Sequence, residues 1–269
     1  ERATITNMGT ELGATTSIFP SDEITLEFLK KEGREADFVP LESDADAEYD
    51  RIIDIDLSTL EPLIACPHSP DNVVTVASLK GTKVDQVCIG SCTNSSLLDM
   101  MKVAAILKGK TIDPSVSLSI SPGSKQVFSM LADSGALTDI IASGARVLEC
   151  ACGPCIGMGF SPNSAGVSLR TFNRNFLGRS GTADGNVYLV SPETAVAAAL
   201  TGEITDPRLL GKMPKVSLPE SFKIDDSAVI PPASVEDAAG LEILRGPNIK
   251  KFPEARPQEN CLSAELVLK

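Results

Sequence analysis

Val84-Asp85-Gln86-Val87-Cys88-Ile89 is followed at once by Gly90-Ser91-Cys92-Thr93-Asn94-Ser95-Ser96, and then by an apolar stretch that ends near residue 107. The first six residues predict a strand, and residues 95–107 predict a helix. A strand, a short turn and a helix together form the repeating unit of a parallel sheet. Cys92 is therefore expected at the carboxyl end of a strand, where the ligand sites of α/β proteins gather.

The same alternation of strands and helices continues along the chain. Further strands are predicted at residues 116–120, 147–150, 167–171 and 187–190, and helices at 22–31, 125–132, 137–142 and 192–200. Alternating side chains at Ile52 to Leu57 also predict a strand, and residues 62–71 predict a loop broken by prolines. We expect an α/β fold with three layers, α/β/α, and a mostly parallel sheet.

Three segments are predicted from the change of character along the chain. Residues 1–80 are expected to be the remainder of an α/β domain, and residues 81–205 an α/β domain that carries the site. Residues 206–269 contain eight of the 18 prolines and little periodicity, so we expect an irregular wrap or a linker. Because the first residue is Glu1, we expect a part of a longer polypeptide.

Composition limits the possible partners. The chain has 269 residues, 42% of them hydrophobic, and a formal net charge of −12. Such an acidic chain argues against non-specific binding to nucleic acid or to an anionic membrane, and no apolar run approaches the roughly 20 residues of a membrane helix. Seven cysteines, an odd number in a chain of this size, predict reduced thiols in the cytoplasm, or equally in a mitochondrial matrix.

Three of these cysteines lie in short polar motifs, Cys92 in the turn quoted above and two in Ala151-Cys152-Gly153-Pro154-Cys155. A C-x-x-C pair occurs in zinc ribbons and in redox dithiols as well as in iron–sulfur proteins, and spacing alone does not separate these. Three thiolates on a cubane cluster would leave one iron without a protein ligand. The other four cysteines are expected to be buried apolar residues, and His68 an exposed loop residue.

Two further motifs carry charged side chains. Arg174 and Arg179 lie in Asn173-Arg174-Asn175-Phe176-Leu177-Gly178-Arg179, and two arginine forks so close together predict a carboxylate site, with ordinary surface arginines as the alternative. Near the amino end, the glycine-spaced run from Asn7 to Thr16 holds one acidic residue, Glu11. The alternative for that run is a plain terminal loop.

Taken together, these blocks resemble the aconitase family over roughly residues 1–206. The matching stretches are Ile5 to Pro20, Gly90 to Ser96, Ala151 to Gly157, Asn173 to Gly181 and Ser191-Pro192-Glu193. The resemblance implies an aconitase-like fold and a [4Fe–4S] cluster bound by Cys92, Cys152 and Cys155. It also implies substrate binding by Asn173, Arg174 and Arg179, and catalytic or pocket-lining roles for Asn7, Glu11 and Ser91.

Within this family, Gly153-Pro154 and Ala14-Thr15-Thr16 are similar to true aconitases. We therefore expect aconitate hydratase, which interconverts citrate and isocitrate through cis-aconitate, with these small tricarboxylates as partners. The alternatives are a related hydro-lyase (homoaconitase, methylcitrate or methylisocitrate dehydratase, or 3-isopropylmalate dehydratase), an RNA-binding regulator in the cluster-free form, and a passive metal-stabilised scaffold. The net charge of −12 argues against the RNA-binding alternative.

The resemblance also implies missing parts. Family members carry an amino-terminal portion with several His and Asp residues, and a mobile carboxyl-terminal domain with a base serine and further arginines. This chain has one histidine, His68, which matches none of those positions. We expect these missing domains in the same polypeptide, and little or no turnover by this segment alone.

Overall fold

A parallel sheet organises the chain in a computed structural model that describes residues 1–255, 257, 260–261 and 263–264. Within these residues the strands are β1 Leu63–Ala65, β2 Val73–Thr75, β3 Gln86–Gly90, β4 Ser117–Ser121, β5 Arg146–Val147, β6 Val167–Arg170 and β7 Asn186–Leu189. Their order is β2-β1-β7-β6-β3-β4-β5. The last five strands in this order are parallel to one another, and β1 is antiparallel to both of its neighbours, β2 and β7. The predicted α/β class with a mostly parallel sheet is confirmed.

The α-helices of the described residues are α1 Arg2–Asn7, α2 Glu23–Lys31, α3 Leu97–Leu107, α4 Lys125–Asp133, α5 Ala136–Ala142, α6 Pro192–Thr201 and α7 Val235–Ala238. Five of these seven helices follow the prediction closely, and two short ones, α1 and α7, were not predicted. The Ser96 hydroxyl accepts a hydrogen bond from the Asp99 amide, and the Asp99 carboxylate accepts one from the Ser96 amide. This capping box satisfies free amide groups at the start of α3 and so fixes where the turn after β3 ends.

The strand β3 lies at the centre of the sheet, and all five of its residues are buried. Its last residue, Gly90, has a φ of +136°, and a Cβ there would collide with the Ser121 carbonyl at the end of β4. Only glycine fits such a close approach of two backbones. The strand, turn and helix predicted from residues 84–107 therefore fold as one tightly packed unit.

The two faces of the sheet are covered differently. Side chains alternate along β3, so that Val87 and Ile89 join the main core with α3, α5 and α6, while Cys88 points to the other face. On that second face Cys88 packs in a smaller cluster with Phe160 and Phe172. Leu148 and Cys155 pack against this cluster, so it contacts the segment 148–160, which carries two of the predicted cysteine ligands.

Two predictions about the amino-terminal part are wrong. Residues 52–57 form no strand, and Ile52, Ile53 and Ile55 are exposed, because alternation gives a stable strand only where a neighbouring strand accepts its hydrogen bonds. Conversely, β1 lies inside the predicted proline-broken loop. It is only three residues long, and it is held by pairing with β2 and by Ala65 opposite Leu189 of β7.

The chain divides into two compact units, Glu1–Asp225 and the part from Asp226 onward. Both segment boundaries predicted from the sequence, after residues 80 and 205, fall inside the first unit. In that unit Phe222 packs edge-on against Phe28 of α2, with ring centroids 5.8 Å apart, so residues before 225 return to the helical layer. No helix among the described residues has both the length and the apolarity that crossing a membrane would require.

Adjacent isoleucines on α5 provide a test of this fold. Ile140 is 0% exposed in the core, whereas Ile141 is 55% exposed. We expect Ile140→Ala to lower the free energy of unfolding by about 2–5 kcal/mol, and Ile141→Ala to change it by less than about 0.5 kcal/mol. Urea denaturation of the two variants measures both; equal losses would contradict the placement of α5.

Candidate active site

The predicted site lies where the direction of the sheet connections reverses. From β3 the chain proceeds to β4 and β5 on one side, and it then returns to β6 and β7 on the other. Ligands of open α/β sheets bind at such a switch point, outside the carboxyl ends of the strands. The turn after β3, residues 90–96, and the segment after β6, residues 171–181, both lie there.

A threonine that the sequence reasoning missed joins these two segments. The Thr171 hydroxyl accepts a hydrogen bond from the Gly90 amide at 2.9 Å, and the Thr93 hydroxyl donates to the Thr171 carbonyl at 2.9 Å. The Asn94 side chain donates to the same carbonyl at 2.7 Å. Residues 90–94 are thereby held against the start of the segment that carries the arginines.

Two of the predicted ligand sulfurs share one hydroxyl. Ser91 Oγ donates to Cys92 Sγ at 3.6 Å and accepts from Cys155 Sγ at 3.6 Å, so the two sulfurs are separated by no more than twice that distance. Ser91 is only 6% exposed and has a φ of +73°, a conformation that is uncommon for a residue with a side chain. Asn7 Nδ2 also donates to Cys92 Sγ, at 3.3 Å.

Residues 152–157, called here the cysteine turn, carry Cys152 and Cys155 on a 3₁₀ turn at Gly153–Ile156. It ends at Gly157, whose φ is +84°. A Cβ at Gly157 would lie 2.6 Å from the Gly181 Cα and closer still to the Ser180 carbonyl. Backbone therefore contacts backbone here, which brings the cysteine turn against the end of the arginine-bearing segment.

The amino-terminal block and the first arginine form a polar network. Arg174 Nε donates to Glu11 Oε1, and the Glu11 side chain is 4% exposed. Asn173 Nδ2 donates to Glu11 Oε2 at 3.3 Å and to Asn7 Oδ1 at 2.6 Å. The hydrogen bond and the negative charge of Glu11 raise the pKa of Arg174, which stays fully charged.

The second arginine is left with an unused donor. Arg179 Nε is buried and has no hydrogen-bond partner within the described part of the chain. A buried N–H group without a partner costs free energy, and such groups often await a ligand. Because Arg179 lines the same cleft as the cysteines, an anion bound there would satisfy this donor.

All nine predicted site residues meet in this place. The cleft has a volume of about 370 Å³ and is lined by Asn7, Cys92, Cys152, Cys155, Asn173, Arg174 and Arg179, together with Thr6, Thr10 and Phe172. Glu11 and Ser91 contact members of this lining, as described above. The sequence reasoning missed Thr6, Thr10 and Phe172; each lies within or beside a motif, but no pattern distinguishes them from their neighbours.

The three thiols line the cleft but do not form a site for a single ion. Within the described residues, no group of three or more His, Cys, Asp or Glu side chains is arranged to hold one metal ion. A cubane cluster has a different requirement, since each cysteine binds a different iron and the sulfurs stand further apart. Burial raises the pKa of the Cys155 thiol. The hydrogen bond with the Ser91 hydroxyl lowers this pKa, whereas negative charge on Cys152 and Cys92 would raise it further.

The other cysteines lie elsewhere, and their predicted burial is only partly correct. Cys88 is buried and Cys66 is half-buried, but Cys150 and Cys261 are exposed. Cys150 precedes the cysteine turn in an irregular segment. The lone histidine, His68, is exposed as predicted.

Comparison with known proteins gives the family. Residues 1–81 and 76–202 match the model of the aconitase family (aconitate hydratase), which is well over half of the chain. The chain belongs to the aconitase family. The resemblance inferred from the cysteine and arginine motifs is thereby confirmed.

Several family members that are similar to the chain are large subunits of 3-isopropylmalate dehydratase. It is 46% identical over 212 residues to 3-isopropylmalate dehydratase large subunit 1 of Thermotoga maritima, covering 77% of this chain and 50% of the relative. It is 44% identical over 209 residues to large subunit 2 of the same enzyme from Archaeoglobus fulgidus, again covering 77% and 50%. This aconitase-family chain thus spans about half the length of the relatives it matches.

Two glycines in the cysteine-bearing segment test the contact at Gly157. Gly157 and Gly159 both have positive φ, but a Cβ at Gly159 would meet nothing within 4 Å. Alanine at either position costs about 1–2 kcal/mol of backbone strain, and only Gly157→Ala adds a collision worth about 1–3 kcal/mol. We expect Gly157→Ala to have the lower free energy of unfolding in urea; the reverse order would contradict the packing against Gly181.

Proposed function

We propose that this chain is the cluster-binding part of the large subunit of a hydro-lyase similar to 3-isopropylmalate dehydratase. The observation that carries the proposal is the meeting of three thiols and two arginines in one cleft. The names of the relatives favour this enzyme over aconitate hydratase. The short motifs Gly153-Pro154 and Ala14-Thr15-Thr16, which favoured citrate as substrate, do not support that choice against relatives that match over more than 200 residues.

Cys92, Cys152 and Cys155 would hold a [4Fe–4S] cluster in this proposal. The donor set fits, because three thiols from two turns face one cleft and the Ser91 hydroxyl lies between two of them. When bound, a cluster with three protein ligands supplies a Lewis acid with an open position for a hydroxyl group.

The arginines would bind the substrate carboxylates. 3-Isopropylmalate has two carboxylates and one hydroxyl group, and the cleft offers two guanidinium groups. Arg174 uses Nε for Glu11, which leaves its terminal N–H groups for a two-point contact. Arg179 contributes the buried Nε that lacks a partner among the described residues. Because arginine forks match carboxylates in a fixed plane, the pair would also orient the substrate.

Glu11 would act on the hydroxyl that leaves as water. Its carboxylate is oriented from both sides, by Arg174 Nε at one oxygen and by Asn173 Nδ2 at the other. A carboxylate held in this way can accept a hydrogen bond from the leaving water without first reorganising, which is how preorganised groups lower a barrier. Asn7 connects the Glu11 network to the proposed cluster ligands, since it donates to Cys92 Sγ and accepts from Asn173.

Other polypeptide segments would complete the active site. The relatives are about twice as long as the matched region and are named large subunits, so we propose that further residues come from the rest of the polypeptide and from a smaller partner subunit. The base that removes the substrate proton would be among them. We expect the chain alone to bind a cluster but to show little or no turnover.

Two neighbouring cysteines test the cluster assignment. Cys150 and Cys152 are both exposed, but only Cys152 lines the cleft. After anaerobic reconstitution with iron and sulfide, we expect Cys152→Ser to lose the visible absorption and the bound iron, and Cys150→Ser to retain both. Visible spectra and iron analysis measure the outcome, and retention by both variants would exclude Cys152 as a ligand.

The substrate is tested on the full-length protein reconstituted with its partner subunit. We expect kcat/KM for 3-isopropylmalate to exceed that for citrate by about 100-fold or more, since a site built for particular polar groups rejects analogues strongly. Formation of the unsaturated product, followed by ultraviolet absorbance, gives both values. A preference for citrate would overturn this choice and support aconitate hydratase.

A further inference from the structure

An arginine outside the cleft is completely buried beside the cysteine turn. Arg170 is the last residue of β6 and is 0% exposed. None of the ion pairs found among the described residues includes it. A buried cation without a carboxylate is costly, and natural proteins retain such a group where hydrogen bonds and a function compensate for it.

The hydrogen bonds of Arg170 converge on the segment that carries the ligands. One terminal nitrogen donates to the carbonyl of Pro154, which lies between Cys152 and Cys155. The other donates to the Phe160 carbonyl at 3.0 Å, just beyond the cysteine turn. One guanidinium group thus holds two carbonyl oxygens on either side of Cys155, which fixes the path of the backbone between them.

The remaining contacts anchor the guanidinium to the sheet. Arg170 donates to Gln86 Oε1 at 2.9 Å and to Ser168 Oγ at 3.0 Å, and its Cζ lies 5.6 Å from the centroid of the Phe172 ring. Gln86 is in β3 and Ser168 is in β6, so both anchors belong to the rigid centre of the fold. The fork therefore connects the cysteine turn to the two strands that flank the switch point.

The charge of Arg170 is placed to interact with sulfur. Burial lowers its pKa, and the two groups that oppose this shift are the Cys88 and Cys155 thiols, whose negative charge would stabilise the guanidinium. The interaction is reciprocal, since Arg170 in turn favours the thiolate of Cys155. Arginine stays protonated at any ordinary pH, so its positive charge is permanent.

We propose that Arg170 is a positioning residue that holds the cysteine turn in its ligating conformation and supplies the positive charge that offsets the thiolates gathered there. The electrostatic role of Arg170 rests on the proposed cluster function; its positioning of the cysteine turn does not. Arg170 and Cys88 Sγ both donate to Gln86 Oε1, at 2.9 Å and 3.8 Å, and Arg170 also donates to the carbonyl of the residue before Cys155. A cation buried so near these sulfurs acts strongly on their charge in a low dielectric, whereas a surface cation is screened.

The first experiment measures geometry and needs no cluster. Amide hydrogen exchange is compared in the cluster-free chain for wild type, Arg170→Gln, Arg170→Lys and Arg146→Gln. Arg146 is a matched control because it is exposed and its Cζ lies 5.1 Å from the centroid of the Phe160 ring. We expect exchange in residues 152–160 to rise at least about tenfold in both Arg170 variants, with α3 and α6 unchanged.

Unchanged exchange in residues 152–160 would overturn the positioning role, and so would an equal rise in the Arg146→Gln control. A rise spread evenly over α3 and α6 would overturn it as well, because it would indicate general loss of stability. Arg170→Lys keeps the charge without the planar fork, so it decides the question if Arg170→Gln does not fold.

The second experiment measures charge in the reconstituted protein. Removing a nearby positive charge makes addition of an electron less favourable, so we expect the reduction midpoint of the cluster, titrated with dithionite, to shift negative in Arg170→Gln. It should stay near the wild-type value in Arg170→Lys and in Arg146→Gln. Equal midpoints in all four proteins would overturn the electrostatic role. If wild type binds no cluster, the cluster proposal and this electrostatic role both fail, while hydrogen exchange still decides the positioning role.

Discussion

The hydrogen bonds between Thr171 and the turn after β3 set the frame on which the rest of the site is placed. They join the two strands at which the sheet connections reverse direction, and each strand end supplies different chemistry. Residues 90–94 bring a thiol and residues 173–181 bring two guanidinium groups. Because these bonds are formed by buried groups with little access to water, the relative position of sulfur and arginine is set by the sheet rather than by a flexible loop.

Local electrostatics in the cleft oppose the charge of the whole chain. A net charge of −12 repels small anions at long range, yet the cleft collects Arg174 and Arg179, with Arg170 buried behind the cysteine turn. Only one carboxylate, Glu11, is found next to these arginines among the described residues, and it is already engaged by Arg174. An anionic substrate would therefore meet a short-range positive site within an acidic surface, which favours specific over non-specific binding.

Sequence patterns predicted the central elements and nine residues that meet at the cleft, because β3, β4, β6 and α3 are patterned segments bounded by clear turn signals, but they missed Thr6, Thr10 and Phe172. The patterns wrongly predicted a strand at Ile52 to Leu57, where side chains alternate but no neighbouring strand in the described part of the chain pairs with the segment. They failed also at β1, which is too short to show a pattern and depends on long-range pairing. Arg170 gave no signal as a buried residue, since burial of an arginine depends on carbonyl groups that are 10 to 16 residues away along the chain.

The cleft is assembled from segments that are far apart in the sequence, and this bears on when the proposed cluster could bind. Asn7, Cys92, Cys155 and Arg179 lie on segments that the pairing of β3 with β6 brings together, with β4 and β5 between these two strands in the chain. In zinc fingers the metal drives folding, because its ligands lie close together on a short chain. Here a chain emerging from the ribosome would offer iron at most the Cys152–Cys155 pair, so binding of the proposed cluster would have to follow completion of the sheet.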